Sequence, residues 1–492
     1  MATGQNRPAP VRTGIEGLDA VLGGGLIPNR VYLVEGDPGA GKTTLALQFL
    51  IAAARQGEKC LFVTLSESED ELRAVAESHG WSLDGVHILE VIASEESLTP
   101  DSRYTMYHPS EVELSATTKK VLDQARQIRP TRVVFDSLSE LRLLAESPLR
   151  YRRQILALKQ HFSRQACTVL MVDDRTSEQS DMQLHSVVHG VIRLDSTAAE
   201  YGTLRRRLSV RKLRGRAFRE GYHDCVIRRG GLTIFPRLIA AEHQVTYERE
   251  PVPSGLDRLD SLLGGGLTRG TSSLITGPAG SGKSSLATLY AHTAASQGKH
   301  VAMFLFDEAL LTLKQRAEGL GLDLRPLIDN GTVSVRQIDP AELSPGEFSH
   351  LVRTAVEVND ASIVVIDSLT GYMNAMPSER FLSLHLHELL SYLGQRGVTT
   401  ILLLTQHGMT DGSPTSTIDT SYLADTVLLL RYFEHFGEVR QALSVIKKRT
   451  GKHERTIREL SMNGEIAIGE PLRDFHGVFS GAPEYVGAGP RK

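Results

Sequence analysis

Cysteine is almost missing from this 492-residue chain: only Cys60, Cys167 and Cys225 occur, all in the first half and each beside apolar residues. An odd, sparse set excludes a disulfide framework or a cysteine metal site and reads as small core residues of a reduced, cytosolic protein. No apolar run approaches membrane-spanning length, and the opening MATGQNRPAPVRTG has no apolar centre of a signal peptide. The expectation is a soluble, cytoplasmic protein with no membrane partner. Charge of one sign is also lacking. A formal net charge of −3 supplies no general attraction to nucleic acid, which argues against it as the main partner.

What is present is a repeat. Residues 13–44 read TGIEGLDAVLGGGLIPNRVYLVEGDPGAGKTT and residues 254–285 read SGLDRLDSLLGGGLTRGTSSLITGPAGSGKSS. With Lys42 and Lys283 as markers the offset is 283 − 42 = 241 residues, so half the chain is one unit and half is a second copy. The hydrophobic fraction of 41% allows each half a substantial core. Short β-rich apolar runs alternate with helical stretches in both, predicting a largely parallel sheet with helices on both faces. Late runs at 205–215 and 440–451 look antiparallel. The organisation read from these signals is a first domain over 1–243, a polar, proline-bearing linker over 244–253, a second domain over 254–470 and a flexible Gly/Pro-rich tail over 471–492.

Each repeat contains a Gly-x4-Gly-Lys-[Ser/Thr] loop between a buried strand and a helix. Backbone N–H groups at Gly36, Gly39, Gly41, Lys42, Thr43 and Thr44, and at Gly277, Gly280, Gly282, Lys283, Ser284 and Ser285, can wrap the phosphates of ATP, because a loop without side chains lets them approach. The helix dipole adds its positive end. Lys42 and Lys283 would reach the β- and γ-phosphates, and the hydroxyls of Thr43 and Ser284 would hold Mg²⁺. Two apolar strands end in Asp136-Ser137 and Asp367-Ser368, where a further Mg²⁺ carboxylate is needed; the alternative is a helix cap. Two others end in Ser66-Glu67 and Asp307-Glu308, with 67 + 241 = 308. Glu67 and Glu308 are candidates to orient the attacking water, against the alternative that they are ordinary acids in a helix's first turn. Lys212/Arg214 and Lys447/Arg449 alternate on late strands, a spacing that suits a phosphate across a subunit boundary.

These residues together resemble the KaiC family of bacterial clock ATPases and autokinases, over about 13–483. The resemblance implies tandem RecA-like P-loop domains, a double-ring homohexamer with ATP at subunit interfaces, and the two Lys-x-Arg pairs reaching a neighbour's ATP. It also implies serine/threonine autokinase activity in the second domain, with Asp307 and Glu308 as its catalytic acids. The family's paired glutamates are here Ser66-Glu67 and Asp307-Glu308, and its adjacent phosphorylated serine and threonine are Ser421 and Tyr422. Phosphate is therefore expected on Ser421, with Thr420 as fallback. A KaiB-like partner stays open. A KaiA-like activator is poorly supported, since only nine residues follow Pro483 (492 − 483). The competing readings are a DNA-acting RecA-like motor and an ATP-dependent scaffold without turnover.

Overall fold

Strands buried on both faces must be apolar throughout, and this dictates the centre of each half. In the first, β1 (Val31–Gly36), β2 (Cys60–Thr64) and β4 (Arg132–Asp136) are buried at every position; β3 (Val86–Glu90), at the sheet edge, is only partly so. β5 (Thr168–Asp174) and β6 (Gly190–Thr197) complete the parallel set, and β7 (Arg205–Leu213), β8 (Tyr222–Arg228) and β9 (Gly231–Phe235) add an antiparallel flank. The sheet order is β3-β2-β4-β5-β1-β6-β7-β8-β9. Helices α1 (Lys42–Ala54), α2 (Glu69–Ser78) and α3 (Pro148–Arg164) lie among the crossovers.

The second half repeats this plan. Its strands are β10 (Ser272–Gly277), β11 (Val301–Leu305), β12 (Val333–Gln337), β13 (Ile363–Asp367), β14 (Thr399–Thr405), β15 (Thr426–His435), β16 (Glu438–Lys448), β17 (Arg458–Met462) and β18 (Ile466–Pro471). They order as β12-β11-β13-β14-β10-β15-β16-β17-β18, with helices α4 (Lys283–Ser296), α5 (Leu310–Gly319) and α6 (Leu382–Gln395). Both halves are tandem RecA-like α/β units, as expected. The computed structural model describes residues 9–91, 109–145, 147–174, 181–198, 202–374, 382–406, 422–478 and 483–487. Among these no helix is long and apolar enough to cross a membrane. Cys60, Cys167 and Cys225 are free and buried, and burial pushes the Cys60 and Cys225 thiols up to about 12.

Two boundaries differ from the sequence expectation. The compact units divide between Arg237 and Leu238, so 238–243 belongs with the second unit. The stretch read as a connector is held there: Val245 N–H donates to the Gln395 carbonyl (3.1 Å) and the Tyr247 hydroxyl to that of Gly394 (2.7 Å). Polar composition signalled a loop, but the aromatic ring of Tyr247 had a surface to cover. Part of the stretch read as a flexible tail is also structured. Short strands β19 (Phe475–His476) and β20 (Glu484–Tyr485) pair, and Val478 and the Phe475 ring pack against Phe433, because apolar side chains near 475–485 outweigh the flexibility of their glycines.

Candidate functional site

β1 and β10 each run into a glycine whose absent side chain is a steric requirement. A Cβ at Gly36 would lie 2.0 Å from the Leu194 carbonyl oxygen, and one at Gly277 would lie 2.6 Å from that of Leu430. The loops then turn through Gly41 (φ 102°) and Gly282 (φ 99°), left-handed positions from which α1 and α4 start without a side-chain cap. The first N–H groups of both helices are thereby left for an anion. Thr44 and Ser285 are buried in the first turn.

The two lysines are held differently. Lys42 donates to the carbonyls of Gly36 (3.0 Å) and Asp37 (2.8 Å) and forms an ion pair with Asp174 at the end of β5 (2.6 Å). Lys283 donates to the carbonyls of Gly277 (3.1 Å) and Pro278 (2.6 Å). No carboxylate takes the place of Asp174, because β14 ends in Thr405 at the matching register. Burial, countered by Asp367, lowers the Lys283 ammonium to about 8.

The strand-end acids converge on the same corners. Thr64 lies level with Asp136, and Leu305 with Asp367, so the carboxyl ends of neighbouring strands bring both acid pairs together. The Thr43 hydroxyl beside Asp136 and the Ser284 hydroxyl beside Asp367 each favour the charged form of their aspartate. Burial raises Asp136 to about 6, helped by Glu67 and Asp174 and opposed by Thr43 and Lys42. Its Oδ2 is buried without a hydrogen-bond partner. Asp367 is raised chiefly by burial as well. Neither aspartate caps a helix. No cluster of three or more metal-binding His, Cys, Asp or Glu residues occurs among the described residues; Mg²⁺ commonly takes one or two protein oxygens and completes its shell with phosphates and water. The buried, partnerless Asp136 oxygen beside a hydroxyl fits that ion.

Glu67 and Glu308 precede their helices, which begin at Glu69 and Leu310, so they are not first-turn acids. Glu67 is raised by burial and then by Glu71, and its Oε2 is buried without a partner. Glu308 is instead held by Arg316, whose Nε and NH2 donate to its two oxygens at 3.1 and 2.8 Å. Asp307 accepts a hydrogen bond from the Ser368 hydroxyl.

Lys212 and Arg214 lie elsewhere. Lys212 faces Val191, beside the Gly190–Tyr32 pairing at the amino end of β1, the end opposite Gly36. Lys447 faces Val427 at the matching end of β10. The pairs do not both sit on a strand, since β7 stops at Leu213 and β16 at Lys448. Each pair nevertheless turns onto one group of backbone carbonyls. Lys212 donates to the carbonyls of His185 and Val188, and Arg214 to that of Ser186. Lys447 donates to the Ala424 carbonyl and Arg449 to that of Tyr422, with Asp425 3.6 Å from Arg449. In the first unit His189 occupies the place of Asp425. Burial, and after it Arg30, Lys159, Arg214 and Lys212, lowers its imidazole to about 4.

Sequence reasoning missed Asp174, His189 and Arg316. Only the last was within reach, since the 241-residue offset sets Arg316 opposite Val75. Ser421 and Thr420 lie outside the described residues; Tyr422 is 53% exposed.

Comparison with known proteins bears on the whole chain. The model of the KaiC ATPase family matches residues 11–239 and 252–471. A curated relative, the circadian clock protein KaiC3 of Synechocystis, is 25% identical over 97% of this chain and 95% of its own length. The circadian clock oscillator proteins KaiC of Picosynechococcus and of Thermostichus vulcanus are each 27% identical over 97% of this chain and 92% of theirs.

Proposed function

This chain belongs to the KaiC ATPase family, and we propose that it is a cytoplasmic homohexamer that hydrolyses ATP and phosphorylates itself on serine in its second unit. The observation that carries the assembly is the position of the basic pairs. At the end of the strands opposite their own phosphate loop, Lys212/Arg214 and Lys447/Arg449 are away from the nucleotide of their own loop, which supports contact with the nucleotide of another copy. Gly36–Thr44 and Gly277–Ser285 would hold the phosphates, while Thr43 with Asp136 and Ser284 with Asp367 would hold Mg²⁺. The metal, when bound, neutralises charge between the β- and γ-phosphates. Glu67 takes a proton from the attacking water in the first unit. Glu308, with Asp307 beside it, does so for water or a serine hydroxyl in the second. The relatives are named circadian clock proteins, which supports a timing role; its readout through phosphorylation state is part of this proposal, and a KaiB-like partner stays open. The mixed surface charge disfavours a DNA motor.

Incubation with labelled Mg-ATP, followed by mass spectrometry, tests the autokinase. Phosphate is expected on Ser421 and absent from Glu308→Gln protein. An unlabelled 415–431 peptide in a preparation that still releases phosphate from ATP leaves an ATPase that is not an autokinase.

The metal pair makes a pH prediction. Mg²⁺ needs the ionised Asp136, whose proton is held up to about pH 6. In a Lys283→Ala variant, which isolates the first site, the Mg²⁺-dependent part of ATP affinity should be full at pH 7.5 and fall by about tenfold per unit below pH 6. Fluorescent-nucleotide titrations with and without Mg²⁺ measure it, and a flat profile down to pH 5 removes Asp136 from the metal site.

A further inference from the structure

The two sites differ in one device for which the repeat has no counterpart. Arg316, on α5, grips both Glu308 oxygens and also donates to the hydroxyls of Thr288 (3.2 Å) and Ser285 (3.5 Å) on α4. Thr288 in turn donates to the Ser284 carbonyl (2.7 Å), so the guanidinium is tied to the helix that carries the metal hydroxyl. The 241-residue offset sets Val75 opposite Arg316 and Leu47 opposite Thr288, both apolar. Glu67 accordingly keeps a partnerless oxygen where Glu308 has none free.

We infer that Arg316 is a brake on water activation at the second site, a positioning residue that acts through Glu308. A guanidinium is a fork of donors that neither accepts nor gives up a proton, and it occupies the lone pairs that an attacking water would use. With the fork in place the second site binds ATP and turns it over slowly. When Arg316 swings aside, Glu308 takes one proton from water as the water oxygen bonds to the γ-phosphorus. The bond from that phosphorus to the β–γ bridging oxygen breaks, and ADP leaves with the electron pair. The first unit, with Val75, has no such brake. The inference rests on the reading of Glu308 as the proton-accepting carboxylate, and the test separates the two.

The test uses the full chain with Glu67→Gln, which quiets the first site while leaving its phosphate loop intact. Adding Arg316→Val, the residue the first unit itself carries, should raise kcat for phosphate release by about tenfold, a fraction of what a positioned base contributes. KM for ATP should stay within about twofold, since no phosphate contact is removed. Arg316→Lys, which keeps the charge and loses the fork, should fall between. Adding Glu308→Gln to the Arg316→Val protein should cancel the gain.

A second readout needs no nucleotide. Carbodiimide labelling of the nucleotide-free protein with Glu67 retained, mapped by mass spectrometry, should modify Glu308 in Arg316→Val far more than in the native chain, with Glu67 as internal reference. If Arg316→Val leaves kcat unchanged or lower while ATP still binds, or if Glu308 labels equally in both proteins, the brake is overturned and the reading of Glu308 stands on the phosphate-incorporation result. A gain in kcat that survives Glu308→Gln overturns the reading of Glu308 and the brake with it.

Discussion

Glu67→Gln should lower steady-state phosphate release by at least about tenfold, although a second complete phosphate loop remains in the chain. A positioned general base contributes about 10²- to 10⁴-fold, and an amide of the same shape keeps the packing while losing proton acceptance. The first site has a carboxylate with an open oxygen, and burial keeps its proton affinity above that of an ordinary glutamate, closer to the working pH. The second site's Glu308 is engaged by Arg316, so it cannot take over the lost turnover. Glu308→Gln should accordingly leave steady-state hydrolysis within about twofold and remove phosphate transfer to the protein. Malachite-green phosphate release and label incorporation, measured on both variants, give four numbers. Wild-type values in all four would make both glutamates bystanders.

Replacing Lys212 and Arg214 together by alanine should abolish ATP-driven assembly. In the native protein, saturating Mg-ATP should move the chain to about six copies, because a ligand bridging two subunits stabilises the assembled state. Charge-assisted hydrogen bonds are worth about 1.5–3 kcal/mol each, so loss of two weakens each interface by 100-fold or more. Replacing Lys447 and Arg449 should do less. Asp425 lies 3.6 Å from Arg449 and offsets its charge, whereas the first unit has His189 there, surrounded by Arg30, Lys159, Lys212 and Arg214. Light scattering at low and high salt reads the mass, and circular dichroism confirms that the variants fold. A native protein that stays monomeric in saturating Mg-ATP would sink the assembly reading.

The parts legible from the sequence were those whose chemistry is local. A phosphate loop is eight consecutive residues between a strand and a helix, so its signature survives in one dimension. The acids at 67, 136, 308 and 367 were legible because the end of a buried strand is also where hydrophobicity stops. The repeat supplied the rest, since one offset relates both copies of each feature. Segment boundaries were less legible: Tyr247, Phe475 and Tyr485 sit in glycine-rich or polar surroundings and pack all the same, because a single ring with a surface to cover outweighs the average of its neighbours.

By itself, then, the order of residues determined two RecA-like units, their phosphate loops and the acids beside them, through periodicity and spacing that need no folding to be read. Only the tertiary structure decided which of those groups are free to act. Whether Glu67 has an open oxygen and Glu308 a guanidinium on both, whether Lys42 is paired and Lys283 is not, and at which end of the strands the basic pairs lie depend on strand order and on partners as far along the chain as Asp174 is from Lys42, 174 − 42 = 132 residues. Such contacts have no signature along the chain, because the distance that sets their energy is the one through space.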